Sequence, residues 1–269
     1  MGNGAGTYAL LWARDRPTGN NAADGHSLAL ETAAELGLVG AALVACLVLV
    51  LLGVLIVRAW REGGGAAAAA GVAVMWTAHA AIDWGWEMPV VTVPALALGG
   101  VGVARAAAGA GGGAGRLPRI VAALGCLVLA ITPLAMARSQ ERLNESVRAF
   151  RAGDCAASIE AALASNSAVG ARPEPFQMLS FCDLRLGRPR LAVAQARKAV
   201  SLDPGSWEFR YSLGLVQAAV GQDPASALRQ ARRRNPRSTL VRRAQSRLSG
   251  RDAQRRSRRA RRLPLPFQQ

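Results

Sequence analysis

The sequence is 269 residues long, 51% hydrophobic and formally +16 at pH 7. This apolar fraction is high for a soluble protein, and the charge is spread unevenly. Residues 1–228 hold 18 basic and 16 acidic side chains, whereas residues 229–262 hold 15 arginines and one aspartate. The four cysteines show neither a CxxC motif nor a Cys/His spacing, so the sequence predicts no zinc site and no other metal or cofactor site.

Uncharged, apolar runs long enough to cross a bilayer lie within residues 36–137. The first run, 36–57, is dense in Leu and Val, and as a helix it would span about 30 Å. The later runs cover residues 63–82, 88–104 and 120–137. We therefore expect an external loop at 1–35 and then a membrane domain at 36–137 with about four transmembrane helices. A re-entrant hairpin is the alternative for the two Ala- and Gly-rich runs in the middle.

Charges in the loops between these runs predict the orientation. Arg58 and Arg61 follow the first run and three arginines lie before the last one, whereas loop 83–87 is acidic and aromatic. Because arginines are enriched in cytoplasmic loops, we expect the first and third loops on the cytoplasmic side. The expected protein is multi-pass in the cell membrane, with loop 1–35 and everything after residue 137 extracytoplasmic.

After residue 137 a fixed period appears in the sequence. Gly153, Gly187 and Gly221 are separated by 34 residues each and are flanked by apolar-periodic segments. Small residues recur on the expected second helix at Ala192, Ala196 and Ala199. Together with the prolines that close the units, this pattern resembles the tetratricopeptide repeat. We expect an all-α domain of such repeats at 138–240, and a generic array of helical hairpins is the alternative.

Two cysteines fall inside this repeat domain. Cys155 and Cys182 would lie on neighbouring helices of the stack. An exported domain permits a disulfide between them, and the alternative is a pair of buried small apolar side chains. The sequence leaves both open.

An arginine-rich segment follows the repeats. We expect a disordered tail over residues 241–269, because charge runs of this kind are usually solvated. Nucleic acid binding is typical of such a basic run, but the expected external location makes nucleic acid an unexpected partner. Lipid phosphates or anionic wall polymers fit that location, and a solvated tail without a fixed partner is the simplest interpretation.

Several short motifs follow one another in the first 52 residues. They are Gly4-Ala5-Gly6-Thr7-Tyr8, then His26-Ser27, then Leu30-Glu31 through Glu35, Gly37 and Gly40. Their order resembles the O-antigen ligase and polymerase family of bacterial envelope glycan enzymes. In that family an external loop carries a Gly-x-Gly-x-aromatic element and a His-Asn or His-Ser motif before a membrane helix. The segment at 79–89 is similar to the actinobacterial branch, whose members often carry external tetratricopeptide-like repeats.

The resemblance covers about residues 4–105. Family members have many spans before this loop, so the resemblance implies that the sequence is the C-terminal part of a longer protein. It further implies a glycosyltransferase of the GT-C type, which transfers a glycan from an undecaprenyl-diphosphate carrier to an acceptor glycan or lipid without a cofactor.

The same resemblance assigns roles to individual residues. His26 would be the catalytic base on the acceptor hydroxyl, and Arg14 and Arg16 would contact the substrate phosphates. The alternatives are that His26 caps the helix that follows and that both arginines are ordinary loop charges.

A second group of ionisable residues lies near the end of the second apolar run. His79 and Asp83 are four residues apart and share a helix face. With Glu87 they are candidates for an outer cavity, because ionisable groups at the end of a span are often functional. The alternative is solvation of these groups near the lipid headgroups.

Three functions are compatible with these features. The first is a truncated envelope polysaccharide ligase or polymerase, with the lipid-linked glycan, the acceptor and membrane lipids as partners. The second is a non-catalytic, membrane-anchored scaffold whose tetratricopeptide-like repeats bind envelope proteins. The third is a protein that binds nucleic acid or another anionic polymer through its arginines, for which steep salt dependence is expected.

Overall fold

The computed structural model of the chain describes residues 2–20, 22, 24–109, 116–250 and 252–268. Within these ranges the regular structure is helical and contains no strand, which confirms the all-α prediction. The chain divides into two compact units. The first comprises Met1–Trp12 and Asn21–Ala122, and the second comprises Ala13–Asn20 and Ala123–Gln269.

The first unit is built from long apolar helices. The short helix α1 (Tyr8–Asp15) starts in the first unit and ends in residues that belong to the second. The long helices of the first unit are α2 (Leu28–Glu62), α3 (Gly64–Ile82) and α4 (Pro89–Gly109), with a 3-10 turn at Trp84–Glu87. Helices α2, α3 and α4 pack against one another. Thr92 ties this group together, because its hydroxyl accepts from Trp76 Nε1 at 3.2 Å and donates to the Trp86 carbonyl at 2.6 Å.

Two helices among the described residues, α2 and α3, are long and apolar enough to cross a membrane. In the most apolar stretch of each helix, 6% of α2 and 17% of α3 is buried, so neither resembles the core helix of a soluble protein. The third predicted span, 88–104, contains the shorter apolar segment Val90–Val101. The fourth predicted span, 120–137, lies within a longer helix. The side chains of several residues in this span are not among those that the structure describes.

Helix α2 is interrupted where the first predicted span begins. Gly37 has φ 74° and ψ −176°, which is not helical backbone. A helix end leaves carbonyl groups without intrahelical partners. The carbonyls of Ala34 and Glu35 instead accept the backbone N–H groups of Asn3 and Gly4 at 3.2 and 2.8 Å. The glycine-rich start of the sequence therefore caps the first part of α2.

The second unit is a stack of helix pairs. Its helices are the later part of α5 (Arg116–Ala152), then α6 (Cys155–Ala168), α7 (Glu174–Arg185), α8 (Pro189–Leu202), α9 (Trp207–Ala219), α10 (Ala225–Arg234), α11 (Thr239–Leu248) and α12 (Ala253–Ala260). From α6 onward each helix packs on the next, and α12 returns to pack on α9. The predicted boundary between membrane domain and repeats, at residue 137, lies inside α5, which continues through it.

The 34-residue period is present in the geometry of the turns. Gly153, Gly187 and Gly221 have φ values of 88°, 70° and 85°, which glycine adopts without steric cost. At each turn the glycine N–H donates to the carbonyl three residues back, and the next N–H donates to the carbonyl five residues back. This is the left-handed C-cap that satisfies the last carbonyls of a helix. The predicted helical repeat is confirmed on these residues.

A hydrogen bond inside the helix pairs repeats with the same period. Ser146 Oγ donates to the Ser158 carbonyl at 2.8 Å, and Ser180 Oγ donates to the Ala192 carbonyl at 2.7 Å. The third equivalent position is Gly214, where an added Cβ would lie 2.8 Å from a side-chain carbon of Leu228. The two helices of each pair therefore approach closely at a residue that must be small.

The two cysteines of the repeats are buried free thiols. Burial, with a smaller contribution from the neighbouring Cys155 thiol, raises the pKa of the Cys182 thiol to about 12. The structure thus has the second of the two alternatives, a pair of buried small side chains.

The segment predicted to be a disordered tail, 241–269, is largely helical and packed. Helix α11 buries Leu240, Val241, Ala244 and Leu248 on one face, and arginines and other polar residues occupy the rest of its surface. These apolar residues have helical spacing, but the many arginines between them led to the prediction of disorder. After α12 the chain continues as a strap, residues 263–267, that packs on the core of the repeats.

Candidate functional site

The Gly-x-Gly-x-aromatic element wraps around the carboxylate of Glu35. The backbone N–H groups of Gly6 and Tyr8 donate to the two oxygens of Glu35 at 2.8 and 2.9 Å. Gly4 and Gly6 have φ values of 110° and 72°, so a side chain at either position would be strained. Two motifs separated by about 27 residues in the sequence are thus in direct contact.

His26 lies directly before α2 and pairs with Asp24. The distance from His26 Nδ1 to Asp24 Oδ1 is 2.5 Å, and the imidazole side chain is 63% exposed. The φ of His26 is 50°, a left-handed conformation that few non-glycine residues adopt. Ser27 caps α2, because its hydroxyl accepts from the Leu30 N–H. The alternative that His26 caps this helix therefore does not hold.

The pairing gives the two ring nitrogens different chemistry. When Nδ1–H donates to the Asp24 carboxylate, the lone pair lies on Nε2 of an exposed ring. A carboxylate in this position orients the imidazole and stabilises the imidazolium that forms when the ring takes a proton. Sequence reasoning missed Asp24. Its signal was the Asp-Gly-His spacing, which lets a short acidic side chain fold back on the histidine.

More carboxylates lie around this pair. Glu31 accepts the Gly25 N–H at 2.9 Å. Partial desolvation raises the pKa of the Glu87 carboxyl, and nearby negative charges raise it further. Those charges are the carboxylates of Glu31, Asp24 and Glu35, and His26 opposes them. The region around His26 is therefore acidic, which favours groups that donate hydrogen bonds over phosphates.

The three predicted outer-cavity residues divide into two places. His79 Nε2 lies 3.7 Å from Asp83 Oδ2, beyond hydrogen-bond distance. Asp83 also accepts the Trp84 N–H at 2.6 Å and so caps the 3-10 turn. Glu87 instead interacts electrostatically with the carboxylates around His26, which add to desolvation in raising its pKa.

The two predicted phosphate ligands both belong to the second unit. Arg14 Nη2 pairs with Asp15 Oδ2 at 2.8 Å, and about half of the Arg14 side chain is exposed. The hydrogen bond with Asp15 raises the pKa of Arg14. Arg16 is buried and donates to the Gly19 carbonyl at 2.9 Å and to Asn235 Oδ1 at 3.1 Å. Arg14 is thus the more accessible cation of the two.

An apolar groove of about 510 Å³ lies between α2 and α3. Leu28, Ala29 and Thr32 of its lining come directly after the cap of α2, and Trp76 and Ala80 line it from α3. A groove with this lining fits a hydrocarbon chain. Within the described ranges, no three His, Cys, Asp or Glu side chains are grouped so as to hold a metal ion.

No family model matches the chain, and a comparison with curated proteins finds no match either. Among solved structures, the chain is similar to a mutant of the Thermobaculum terrenum O-GlcNAc transferase. The sequence identity is 28% and the TM-score 0.38, over 40% of this chain and 21% of that chain. The chain therefore spans about one fifth of the length of that protein.

Proposed function

We propose that the first unit is part of an envelope polysaccharide ligase or polymerase, which transfers a glycan from an undecaprenyl-diphosphate carrier to an acceptor hydroxyl. The observation that carries the proposal is the Asp24–His26 pair at the head of α2. The glycine-rich element bound to Glu35 holds the same end of α2. Both features lie within the motifs that resemble the O-antigen ligase and polymerase family.

In the proposed reaction His26 is the general base. The acceptor hydroxyl oxygen attacks the anomeric carbon of the donor sugar, and His26 Nε2 takes the hydroxyl proton. The bond from the anomeric carbon to the diphosphate oxygen breaks, and undecaprenyl diphosphate leaves with the electron pair. Asp24 holds the ring and stabilises the imidazolium.

The surroundings of His26 suit the two substrates in different ways. Carboxylates such as Glu31 and Glu87 can accept hydrogen bonds from acceptor sugar hydroxyls. The apolar groove between α2 and α3 fits the isoprenoid chain of the donor. A multi-pass arrangement of about four spans, with His26 on the extracytoplasmic side, belongs to this proposal.

The test uses the full-length protein in its native membrane. Replacing His26→Ala should lower glycan transfer by about 10²–10⁴-fold, the usual contribution of a general base, and added imidazole should restore part of it. Asp24→Asn should also lower the rate while leaving the imidazole in place. Glu160→Gln, an exposed carboxylate of α6, is the control and should leave transfer unchanged.

Equal amounts of each variant in the membrane make the rates comparable. Normal polymer in the His26→Ala strain would overturn the assignment of His26 as the base. Loss of transfer without any rescue by imidazole would favour a structural role for His26 at the start of α2.

A second candidate function is a membrane-anchored scaffold that binds envelope proteins. The observation that favours it is the surface of the second unit that already holds a short peptide segment, the strap. Immobilised full chain should capture a small, reproducible set of envelope proteins from a detergent extract. An extract that yields no specific protein would remove this candidate.

A further inference from the structure

The strap runs across the first helices of the repeat pairs. Leu263 is buried, and Leu265 and Phe267 pack against the core clusters. Pro264 and Pro266 stand between these apolar residues. The segment bends at Leu263 and turns into a short 3-10 helix at Pro266–Gln268. Its three apolar side chains nevertheless all pack on the helices of the second unit.

Polar contacts hold the strap by its backbone carbonyls. Tyr211 Oη donates to the Pro264 carbonyl at 2.8 Å. Arg151 Nη2 donates to the Phe267 carbonyl at 2.9 Å. Neither bond depends on the identity of the strap side chain, and proline offers no N–H that would need a partner. Recognition of this kind suits other segments that present the same apolar spacing to this surface.

Aromatic contacts complete the surface, which we name the strap face. The ring of Phe267 meets Phe150 and Phe181 edge-on, with centroids 5.7 and 5.8 Å apart. The guanidinium carbon of Arg185 lies 3.5 Å from the centroid of the Phe150 ring. The strap face thus consists of Phe150, Phe181 and Tyr211 with Arg151 and Arg185.

The strap face follows the repeat. Phe150 and Leu184 are 34 residues apart, as are Phe181 and Leu215 and the pair Arg151 and Arg185. Because equivalent positions of successive repeats form rows on such a stack, the first helices offer a continuous track. The strap lies along this track as a peptide would.

The strap does not fill its track. A cavity of about 220 Å³ remains between strap and helices, lined by Phe181, Leu215, Arg185, Leu263 and Leu265 among others. Atoms that face a void lose dispersion contacts on that side. A peptide that fills the cavity would therefore make contacts that the strap does not make.

We propose that the strap face is a peptide-binding site, that residues 263–267 occupy it as an internal ligand, and that its partner is a short peptide with apolar residues separated by prolines and ending in an aromatic residue. The inference rests on the scaffold function proposed above and names its ligand class. The strap keeps the site closed until such a segment displaces it.

The experiment compares the full chain in detergent with two opened forms. One form ends after Arg262, and the other keeps its length but carries Leu265→Asp. The probe is the labelled peptide Arg-Arg-Leu-Pro-Leu-Pro-Phe-Gln-Gln, followed by fluorescence anisotropy. A tethered strap acts at an effective concentration on the order of mM. For a Kd of roughly 100 μM, both opened forms should then bind the peptide about tenfold more tightly than the full chain.

Two variants test the contacts themselves. Tyr211→Phe in an opened form removes one hydrogen bond of about 1 kcal/mol, so the peptide should bind about fivefold more weakly. Ser167→Ala, which removes an exposed hydroxyl of α6, is the control and should not change binding. A peptide with aspartate in place of its second leucine and its phenylalanine should not bind.

Several results would overturn the inference. Folded opened forms that do not bind the peptide, or that bind it no better than the full chain, would show that the strap is not a ligand. If both opened forms lose their helical circular dichroism, the strap is a part of the core that folding requires and not a displaceable ligand. A dimer that forms with increasing concentration and disappears on truncation would show that the strap of one chain occupies the strap face of another. The strap would then not be an internal ligand. Envelope proteins that bind equally well when Tyr211 and Phe181 are replaced would overturn this site and leave the scaffold function standing.

Discussion

The two units bury their apolar residues in opposite ways. Large apolar side chains are exposed along α2 and α3, for example Leu38 at 84% and Leu47 at 69%. In the described part of 138–268, the exposed large apolar side chains are Leu163, Leu186 and Leu191. The first unit therefore presents apolar surface outward, whereas the second turns it inward.

The composition of the helices explains this difference. Helices α2 and α3 are apolar all round, as a helix that crosses a bilayer is. The helices of the second unit carry one apolar stripe, and arginines with other polar residues cover the rest of α11 and α12. The exposed apolar surface of α2 and α3 is of the kind that lipid can cover, whereas the second unit covers its apolar stripes by stacking its own helices.

The largest effect is expected from the same substitution made in each unit. Leu47→Arg places a charge in the middle of α2 and should cost about 2.5–3.5 kcal/mol of membrane insertion. Leu163→Arg, on the exposed face of α6, should change stability by less than about 0.5 kcal/mol. The measurements are the carbonate-resistant membrane fraction and the thermal melting of the second unit's helices.

If Leu47→Arg inserts as well as the unmodified chain, the outward apolar surface of α2 does not face lipid. If Leu163→Arg melts far earlier, that position is covered by another protein surface. Either result would break the contrast between the two units.

A smaller effect is expected from adding one methyl group to a helical glycine. At Gly214 the new Cβ would lie 2.8 Å from Leu228, so Gly214→Ala should destabilise the second unit by about 1–3 kcal/mol. At Gly53 in α2 nothing lies within 4 Å. Gly53→Ala should therefore be neutral or stabilising, because alanine is the better helix former. Chemical denaturation of both variants measures the difference.

Equal stability of the two variants would mean that α9 and α10 can separate slightly at no cost. The close approach at Gly214 would then not be what requires a small residue there.

The smallest effect near neutral pH is expected from the buried titratable groups of the second unit. Burial raises the pKa of Tyr211 to about 12, and that of Cys182 also to about 12. In the unfolded chain these groups lose their protons at about 10 and 8.5. Because the unfolded state then binds fewer protons, the free energy of unfolding should be constant below pH 8 and fall between about pH 9 and 12.

Denaturant titrations of the full chain at a series of alkaline pH values measure this slope. Tyr211→Phe should remove the part that begins near pH 10 and leave the part due to Cys182. A flat profile would show that these side chains reach water in the folded unit.

Part of this structure could be read from the residues alone. The spacing of Gly153, Gly187 and Gly221 predicted the turns, because a left-handed C-cap almost requires glycine. The uncharged run 36–57 predicted an apolar helix, and its start coincides with the break at Gly37. Local signals of this kind work because neighbouring residues suffice to produce them.

Other features of the second unit depended on contacts distant in sequence. The arginine-rich segment was expected to be disordered because its charge outweighs its few apolar residues. Leu240 and Leu248 nonetheless form a stripe, and α11 and α12 fold because α9 and α10 offer a surface to cover it. The strap likewise acquires its structure from Tyr211 and the phenylalanines rather than from its own sequence.

The sequence by itself determined an all-α protein with long apolar helices and a 34-residue repeat, because these follow from residue type and periodicity. The tertiary structure decided which residues meet. Glu35 accepts two backbone N–H groups from the glycine-rich element, and Asp24 turns back on His26. Such contacts depend on the path of the loop and on the interruption of α2 at Gly37. At this interruption the carbonyls of Ala34 and Glu35 lack partners within the helix and accept N–H groups from the start of the chain instead.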